Sequence, residues 1–440
     1  MRLFGSKGGG KHSSKAINKS EKKKYNKPVR KEEYSDDTEL DVEEILEIDK
    51  SEKKKKGRGK KILKAFIIIL LVLAALLAAA YAAVYIIRKP PELGSAAEGR
   101  TKGVYTVLVA GVDPSSGNTD TIMIARFDTE HEKLNVVSIP RDTLVNQTES
   151  VKKANSIFHY AYYDSKEDGS KKSQAYKDGA EAMYDDLVYA MCGFKVDCYA
   201  IIETDVAAKL VDIIGGVTFD VPVDMHYTDP EQDLEIDIDK GVQKLDGEDF
   251  VKVMRFRDSY AGGDIDRISV QHDLLMALAK QTLSLGNIPN IGEAANLITS
   301  KTTTNMKTEN VLFFGTEFMK LDDEDITFYT LPGNTYGSIF GISYVFTDIE
   351  AWLQMVNDCL NPTDTPITID SPGINIVTNI DGVFYYTNEN KRLMGGASSF
   401  YNSSEAGGVY PEVRNYRDYL SGSVNLPPDD TVSDDTAPAE

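Results

Sequence analysis

Three runs decide the fold of this chain: ValTyrThrValLeuValAla (104–110), ThrIleMetIleAlaArgPhe (121–127) and LeuAsnValValSerIlePro (134–140). Each is of strand length and rich in branched or apolar residues. The polar turn AspThrGluHisGluLys (128–133) joins the second and third as a hairpin. Downstream, Asp178–Met191 and Asp205–Ile214 read as helices. The latter closes on Gly215-Gly216, a helix-stop signal, before the strand ValThrPheAspVal (217–221). A long helix is expected from about Asp264 to about Leu285, with Ile265, Ile268, His272, Leu275 and Ala279 at helical spacing. AspIleThrPheTyrThrLeu (325–331) and Thr347–Asn357 continue the alternation as strand and helix. Strands interleaved with helices imply an α/β layer fold.

The charge of the chain is unevenly divided. Residues 1–61 hold 19 of the 49 Lys+Arg and 12 of the 69 Asp+Glu, net +7, which leaves −27 for the remainder of a total of −20. A basic head thus precedes an acidic body, and an acidic body argues against nucleic acid as the main ligand. Between them, Ala65–Ile87 is free of charge. At 1.5 Å per residue it would reach about 34 Å, enough to cross a bilayer of roughly 30 Å. Lys53–Lys56, Arg58, Lys60, Lys61 and Lys64 crowd its N-terminal side, while only Arg88 and Lys89 follow directly. The positive-inside rule then predicts a single-pass protein of the cell membrane, head in the cytoplasm and body outside. Tyr81 and Tyr85 suit the interfacial aromatic belt.

The expected organisation is a disordered basic head (1–61), a membrane helix (62–88), a stalk (89–100), a main domain (101–360), a C-terminal extension (361–420) and an acidic disordered tail (421–440). The extension carries one strand-like piece, GlyValPheTyrTyr (382–386). Cys192, Cys198 and Cys359 form neither a disulfide framework nor a metal-ligand spacing. A Cys192–Cys198 bridge is an open alternative in an exported body.

The chemistry-bearing residues gather around these elements. Asp113 lies just past the first strand and Asp120 just before the second, so adjacent strand ends could bring both carboxylates to one sheet edge. Such a pair could share a hard divalent cation, although Asp also caps turns. Arg141 ends the third strand within SerIleProArgAsp (138–142). Arg255 and Arg257, read as part of a strand, would face the same side, an unfavourable arrangement unless an anion lies between them. Asp264 falls where the long helix should begin, and Arg267 and Gln271, four apart, share a face near its start. Planar guanidinium forks suit phosphate oxygens. His159, His226 and His272 are too dispersed for a triad or a zinc site, and no serine-hydrolase or P-loop spacing occurs.

Through these residues the chain resembles the LytR-CpsA-Psr family of bacterial envelope phosphotransferases. The resemblance is carried in order by ValLeuValAlaGlyValAsp (107–113), AsnThrAspThrIleMetIle (118–124), SerIleProArgAspThr (138–143), LysAlaAsn with Ala161 downstream (153–161), GlyGlyValThrPheAspVal (215–221), LeuAspGly (245–247) and ArgPheArg…AspIleAspArg…Gln (255–271). It implies an extracellular α/β domain with a mixed central sheet flanked by helices, behind one transmembrane helix. It also implies transfer of a glycopolymer, of teichoic acid or capsular polysaccharide type, from a polyprenyl-pyrophosphate carrier onto peptidoglycan, forming a phosphodiester. By the same resemblance Asp113 and Asp120 would hold Mg²⁺. Arg141, Arg255, Arg257, Arg267 and Gln271 would bind the pyrophosphate, and Asp264, with Arg141 and Arg267, would serve the chemistry. Leu274, Leu275 and Leu278 are candidate walls of a slot for the lipid. The chain departs from the family pattern at Asn118, where a basic residue is usual, at Asp266, usually Gly, at Val270, usually Arg, and in the order LysAlaAsnSer (153–156). Two other readings compete with the transferase: a polyprenyl-pyrophosphate hydrolase, and a non-catalytic lipid-binding or signalling protein of the envelope.

Overall fold

The structure, a computed structural model, describes residues 71–92, 99–114, 116–147, 149–230, 234–256, 264–282, 288–339, 342–388 and 413–422. The chain divides into two compact units, Met1–Val72 and Leu73–Glu440. Among the described residues the second unit holds every strand. Strands β1 (Val104–Val112), β2 (Thr119–Asp128) and β3 (Lys133–Ser138) open the body, followed by β4 (Cys198–Glu203). Two antiparallel pairs come next, formed by β5 (Val217–Val221), β6 (Met225–Asp229), β7 (Leu234–Ile238) and β8 (Gly241–Leu245), with β5 on β8 and, nested between them in sequence, the hairpin of β6 on β7. The strands β9 (Thr303–Thr304), β10 (Ile326–Thr330), β11 (Gly333–Ile339), β12 (Ile342–Thr347), β13 (Val377–Ile380), β14 (Val383–Tyr386) and β15 (Val413–Asn415) complete the set among the described residues.

The central sheet runs β10-β3-β2-β1-β4-β9. It is mixed: β1–β2, β2–β3 and β4–β9 pair antiparallel, β1–β4 and β3–β10 parallel. The expected hairpin is therefore present, and the mixed α/β fold expected from the sequence is the fold observed. One face of the sheet, through Leu108, Ala110, Val112, Ile122 and Ile124, meets Phe158, Met183, Leu187 and the fully buried Trp352 from covering helices. Trp352 satisfies its indole N–H on the Met191 carbonyl at 2.7 Å, as a buried indole requires. On the other face Tyr105 and Phe127 pack against Phe313 and Phe314 of the helix Thr308–Phe318. Helices on both faces explain why β1 is almost wholly apolar. Residues beyond 360 join the same core through Ile374, Ile376, Tyr385 and Tyr416.

A second core gathers these two strand pairs, the helices Thr204–Ile213 and Gly247–Arg255, and the long helix Asp264–Thr282, around Phe219, Phe250, Val253 and Leu274. The Gly215-Gly216 stop behaves as expected: both residues have positive φ, and Gly216 N–H returns to the Val211 carbonyl at 2.8 Å. LeuAspGly (245–247) has a physical reading. Leu245 is buried, and Asp246 caps the next helix by accepting from Asp249 N–H at 2.9 Å. Gly247 lies so close to the preceding helix that a Cβ would stand 2.3 Å from the Ala208 carbonyl oxygen.

This cap overturns the strand reading of residues around Arg255. Phe250, Val253 and Met254 turn to the interior at helical spacing, and Arg255 is the last residue of the Gly247–Arg255 helix. The run ValLysValMetArgPhe alternates as well as a strand would, and the cap at Asp246 decides between the two. Arg257 lies outside the described residues.

Of the expected membrane segment, residues 65–70 lie outside the described residues, and 71–87 are helical. Among the described residues no helix is long and apolar enough to cross a membrane. The end of this helix is fastened to the body. Arg88 forms an ion pair with the buried Glu317 and lies 3.7 Å from the Tyr85 ring centroid. Lys89 N–H donates to the Glu309 carbonyl, and Asn310 donates to the Lys89 carbonyl, each at 3.0 Å. Val84 packs on Ile291 and Leu312. Cys192, Cys198 and Cys359 are free, buried thiols, and burial pushes the Cys198 thiol up to about 12.

Candidate functional site

The carboxyl ends of β1, β3 and β4 and the start of β2 share one edge of the sheet, the edge at which open α/β sheets bind ligands. Alternation along β1 sends Val109, Gly111 and Asp113 toward the second core and away from the first. Between sheet and second core lies a pocket of about 180 Å³. Its walls are largely apolar: Leu210, Phe250, Met254, Leu275, Leu278 and Ile298. Its polar lining includes Asp113, Asp120, Arg255, Arg267 and Gln271. A narrow second cleft is bordered by Asp120, Ser138, Arg141, Arg267 and Gln271. Six of the residues singled out from the sequence, Asp113, Asp120, Arg141, Arg255, Arg267 and Gln271, therefore meet around two adjoining cavities.

Asp120 owes its place to a β-bulge. Gly111 pairs with Thr121 and Val112 with Thr119, which leaves Asp120 as the extra residue. A bulge re-aims side chains at a sheet edge, and here it lets Asp120 border both cavities. Its Oδ1 accepts from Arg141 Nη1 at 2.7 Å. Arg141 is followed by Asp142, which pairs with Lys153 at 2.9 Å, and the Arg141 carbonyl accepts from Asn155 N–H at 3.0 Å. The LysAlaAsn segment thus braces the SerIleProArgAsp turn. Asp113 sits in a tight loop: its carbonyl accepts from Gly117 N–H at 2.8 Å, and Ser116 Oγ donates to its carboxylate at 3.2 Å. His159 holds the loop from outside by a 2.8 Å contact of Nδ1 with the Ser116 carbonyl.

Arg267 is buried, 3% exposed, one turn before the equally buried Gln271. Gln271 donates through Nε2 to the Met254 carbonyl at 2.9 Å, which ties the long helix to the end of the helix that carries Arg255. Asp264 is the first residue of the long helix. Of the three leucines expected to wall a lipid slot, Leu275 and Leu278 line the pocket, whereas Leu274 is fully buried in the second core.

Sequence reasoning missed one contact. Ser138 Oγ lies 2.6 Å from His272 Nε2. The His272 ring stacks on Phe328 at 4.6 Å, and burial lowers its pKa to about 4. The partners are 134 residues apart, and no local pattern announces the pair.

Magnesium commonly binds through one or two carboxylates, completing its octahedron with water and substrate phosphate. Asp113 and Asp120, two carboxylates on one pocket beside buried guanidinium, fit that donor set. Among the described residues there is no cluster of three or more His, Cys, Asp or Glu side chains that could hold a metal by themselves.

The chain is 29% identical over 271 residues to the cell wall biosynthesis protein LcpA of Corynebacterium glutamicum, covering 58% of this chain and 51% of that protein. It is 25% identical over 249 residues to the polyisoprenyl-teichoic acid–peptidoglycan teichoic acid transferase TagV of Bacillus subtilis, covering 53% of this chain and 60% of that one. The chain thus spans between half and two thirds of these relatives. The crystal structure of protein gbs0355 from Streptococcus agalactiae shares the fold, with a TM-score of 0.52 and 20% identity over 64% of this chain and 95% of that one. The LytR_cpsA_psr family model matches residues 78–360, more than half of the chain. The motif order, the mixed sheet and the arginine- and aspartate-lined pocket at its edge have one common explanation: this chain belongs to the LytR-CpsA-Psr family.

Proposed function

We propose that this protein is a membrane-anchored phosphotransferase that moves a cell-wall glycopolymer from a polyprenyl-pyrophosphate carrier to peptidoglycan. One observation carries the reading: a pocket with apolar walls that suit a hydrocarbon, continuous with a lining of Arg255, Arg267, Asp113 and Asp120. A ligand that is grease at one end and polyanion at the other matches this lining. The names of LcpA and TagV support the same class of activity. The exposed Leu71, Leu73, Leu76, Leu77, Ile86 and Ile87 of the N-terminal helix support the anchor.

In this reading a sugar hydroxyl of the acceptor attacks the glycan-bearing phosphorus. The new P–O bond forms as the bond to the bridging oxygen breaks, and polyprenyl phosphate leaves. Phosphoryl transfer asks the protein for position and charge neutralisation more than for covalent chemistry. Arg141, Arg255 and Arg267 neutralise the non-bridging and leaving oxygens, with Arg257 assigned to the same group from its sequence position. Asp264 is assigned the acceptor proton. Asp113 and Asp120 would hold Mg²⁺, which supplies further charge neutralisation at the pyrophosphate when bound.

The test uses the full chain in proteoliposomes with a synthetic polyprenyl-pyrophosphate glycan and peptidoglycan fragments, with Mg²⁺ or chelator. Linkage that needs Mg²⁺ and is lost in Arg141→Ala and Asp120→Ala supports the transferase. Release of polyprenyl phosphate without linkage would replace it by a hydrolase. Retention of the lipid without turnover would make it a binding protein.

A further inference from the structure

The contact between Ser138 and His272 joins the two halves of the site. Ser138 ends β3 and begins the turn that carries Arg141, while His272 directly follows Gln271 on the helix that carries Arg267. Ser138 is 6% exposed, yet it borders the narrow cleft that Asp120, Arg141, Arg267 and Gln271 also border. A buried hydroxyl beside guanidinium groups, held at 2.6 Å by an imidazole, is more than packing demands. An alanine there would fill much the same space without a polar group to satisfy.

We propose that Ser138 is a further phosphate-binding residue of this site, with His272 as the positioning residue that aims its hydroxyl at a non-bridging phosphoryl oxygen. The inference rests on the phosphotransferase reading above. A serine hydroxyl has one proton and two lone pairs, and a neutral imidazole has one N–H. When His272 Nε2–H donates to Ser138 Oγ, the serine proton is left to donate elsewhere, and the cleft bounded by Arg141 and Arg267 is where an oxyanion would stand. The Phe328 ring against which His272 stacks fixes the imidazole plane. Burial keeps the ring neutral at physiological pH, so it orients the hydroxyl without adding a further cation. Arginine forks bind phosphate broadly, and one short neutral donor adds direction.

The experiment is a double-mutant cycle on the full chain in proteoliposomes. It measures transfer from the synthetic polyprenyl-pyrophosphate glycan, together with thermal midpoints and the Kd of geranylgeranyl pyrophosphate. Ser138→Ala and His272→Ala are each expected to lower kcat/KM about tenfold, the worth of one neutral hydrogen bond at a charged group. The double variant should be no worse than Ser138→Ala alone, because the histidine acts only through the serine. His272→Gln, which keeps a side-chain N–H, should recover most of the activity, and His272→Leu should not. Wild-type kcat/KM in Ser138→Ala, or losses that multiply in the double variant, would overturn the proposal. So would a fall in thermal midpoint that accounts for the whole loss of activity. A wild-type protein that neither transfers nor binds the lipid would instead overturn the phosphotransferase reading, before the cycle is read.

Discussion

Arg141 reaches across from the end of β3 to Asp120 in the bulge of β2, Nη1 to Oδ1 at 2.7 Å. The pair is partly exposed, the side chains at 20% and 37%, so it contributes at most about 1 kcal/mol to folding. Its loss should cost far more in activity. Arg141→Ala is expected to leave the thermal midpoint within a few degrees and to lower transfer by about 10²- to 10³-fold, the scale of one lost transition-state donor. A melting curve beside a rate measurement separates the two effects. A midpoint that collapses would make Arg141 a structural residue.

Asp113 and Asp120 differ in their partners, and that difference predicts a graded response to metal. Asp120→Asn keeps the shape and removes the charge that balances Arg141. It should move the Mg²⁺ titration of activity about tenfold or more toward higher concentration. Asp113→Asn should move it in the same direction while leaving the Ser116 contact able to form. An unchanged Mg²⁺ midpoint in both variants would remove the carboxylates from the metal site.

The apolar walls should matter for the lipid and not for the phosphate. Leu275 is partly buried and lines the pocket. Leu275→Trp should weaken binding of a long polyprenyl pyrophosphate about tenfold or more, at a stability cost of about 1–3 kcal/mol for overpacking. Inorganic pyrophosphate should bind it as it binds the wild type. Calorimetry with both ligands reads the contrast, and equal weakening for both would place the lipid elsewhere.

The folded-state pKa of His272 lies near 4, well below the 6.5 of an ordinary histidine, because burial disfavours the cation. The unfolded chain therefore binds the proton first as pH falls. The stability that neutral His272 permits is complete above about 6.5 and is lost progressively as pH drops toward 4. His272→Gln should flatten this part of the stability curve. Thermal midpoints between pH 7 and about 4.5 for both proteins are the measurement, and parallel curves would show that other groups carry the acid limb.

Gly247 supplies a control on packing alone. A Cβ there would stand 2.3 Å from the Ala208 carbonyl oxygen, and backbone cannot yield as a side-chain tip does. Gly247→Ala should cost about 1–3 kcal/mol as the two helices part. Denaturant unfolding reads this directly, and a neutral result would mean that the helices are less tightly joined than their geometry implies.

Much of the body was legible in the sequence because its signals are local. Strand-length runs of apolar and branched residues mark β1, β2 and β3, and Gly215-Gly216 marks the end of a helix with positive φ. The charged positions were also legible, since Arg141, Arg267 and Asp120 stand at element ends. What stayed hidden depends on pairing between distant segments. The bulge that brings Asp120 to both cavities exists only once β1 and β2 are in register. Arg255 looked like a strand residue because a short run with apolar residues at every second place also fits one face of a short helix. Leu274 and Leu275 are neighbours in sequence, yet one is core and the other pocket wall. A helix turns roughly 100° per residue, and sequence alone does not say which neighbour lies on each side.

The Arg88–Glu317 pair has a mechanical meaning. Arg88 is tied to the helix Thr308–Phe318, and Arg100 is tied to Asp197 at the opposite end of the intervening segment. Both ends of residues 89–99 are thus moored to the same body. Extra residues spliced between them would balloon outward as slack and would not lengthen the reach of the apolar helix. The protein thus fastens the end of that helix directly onto the body, through Arg88 and Lys89, where a free linker would leave it on a leash.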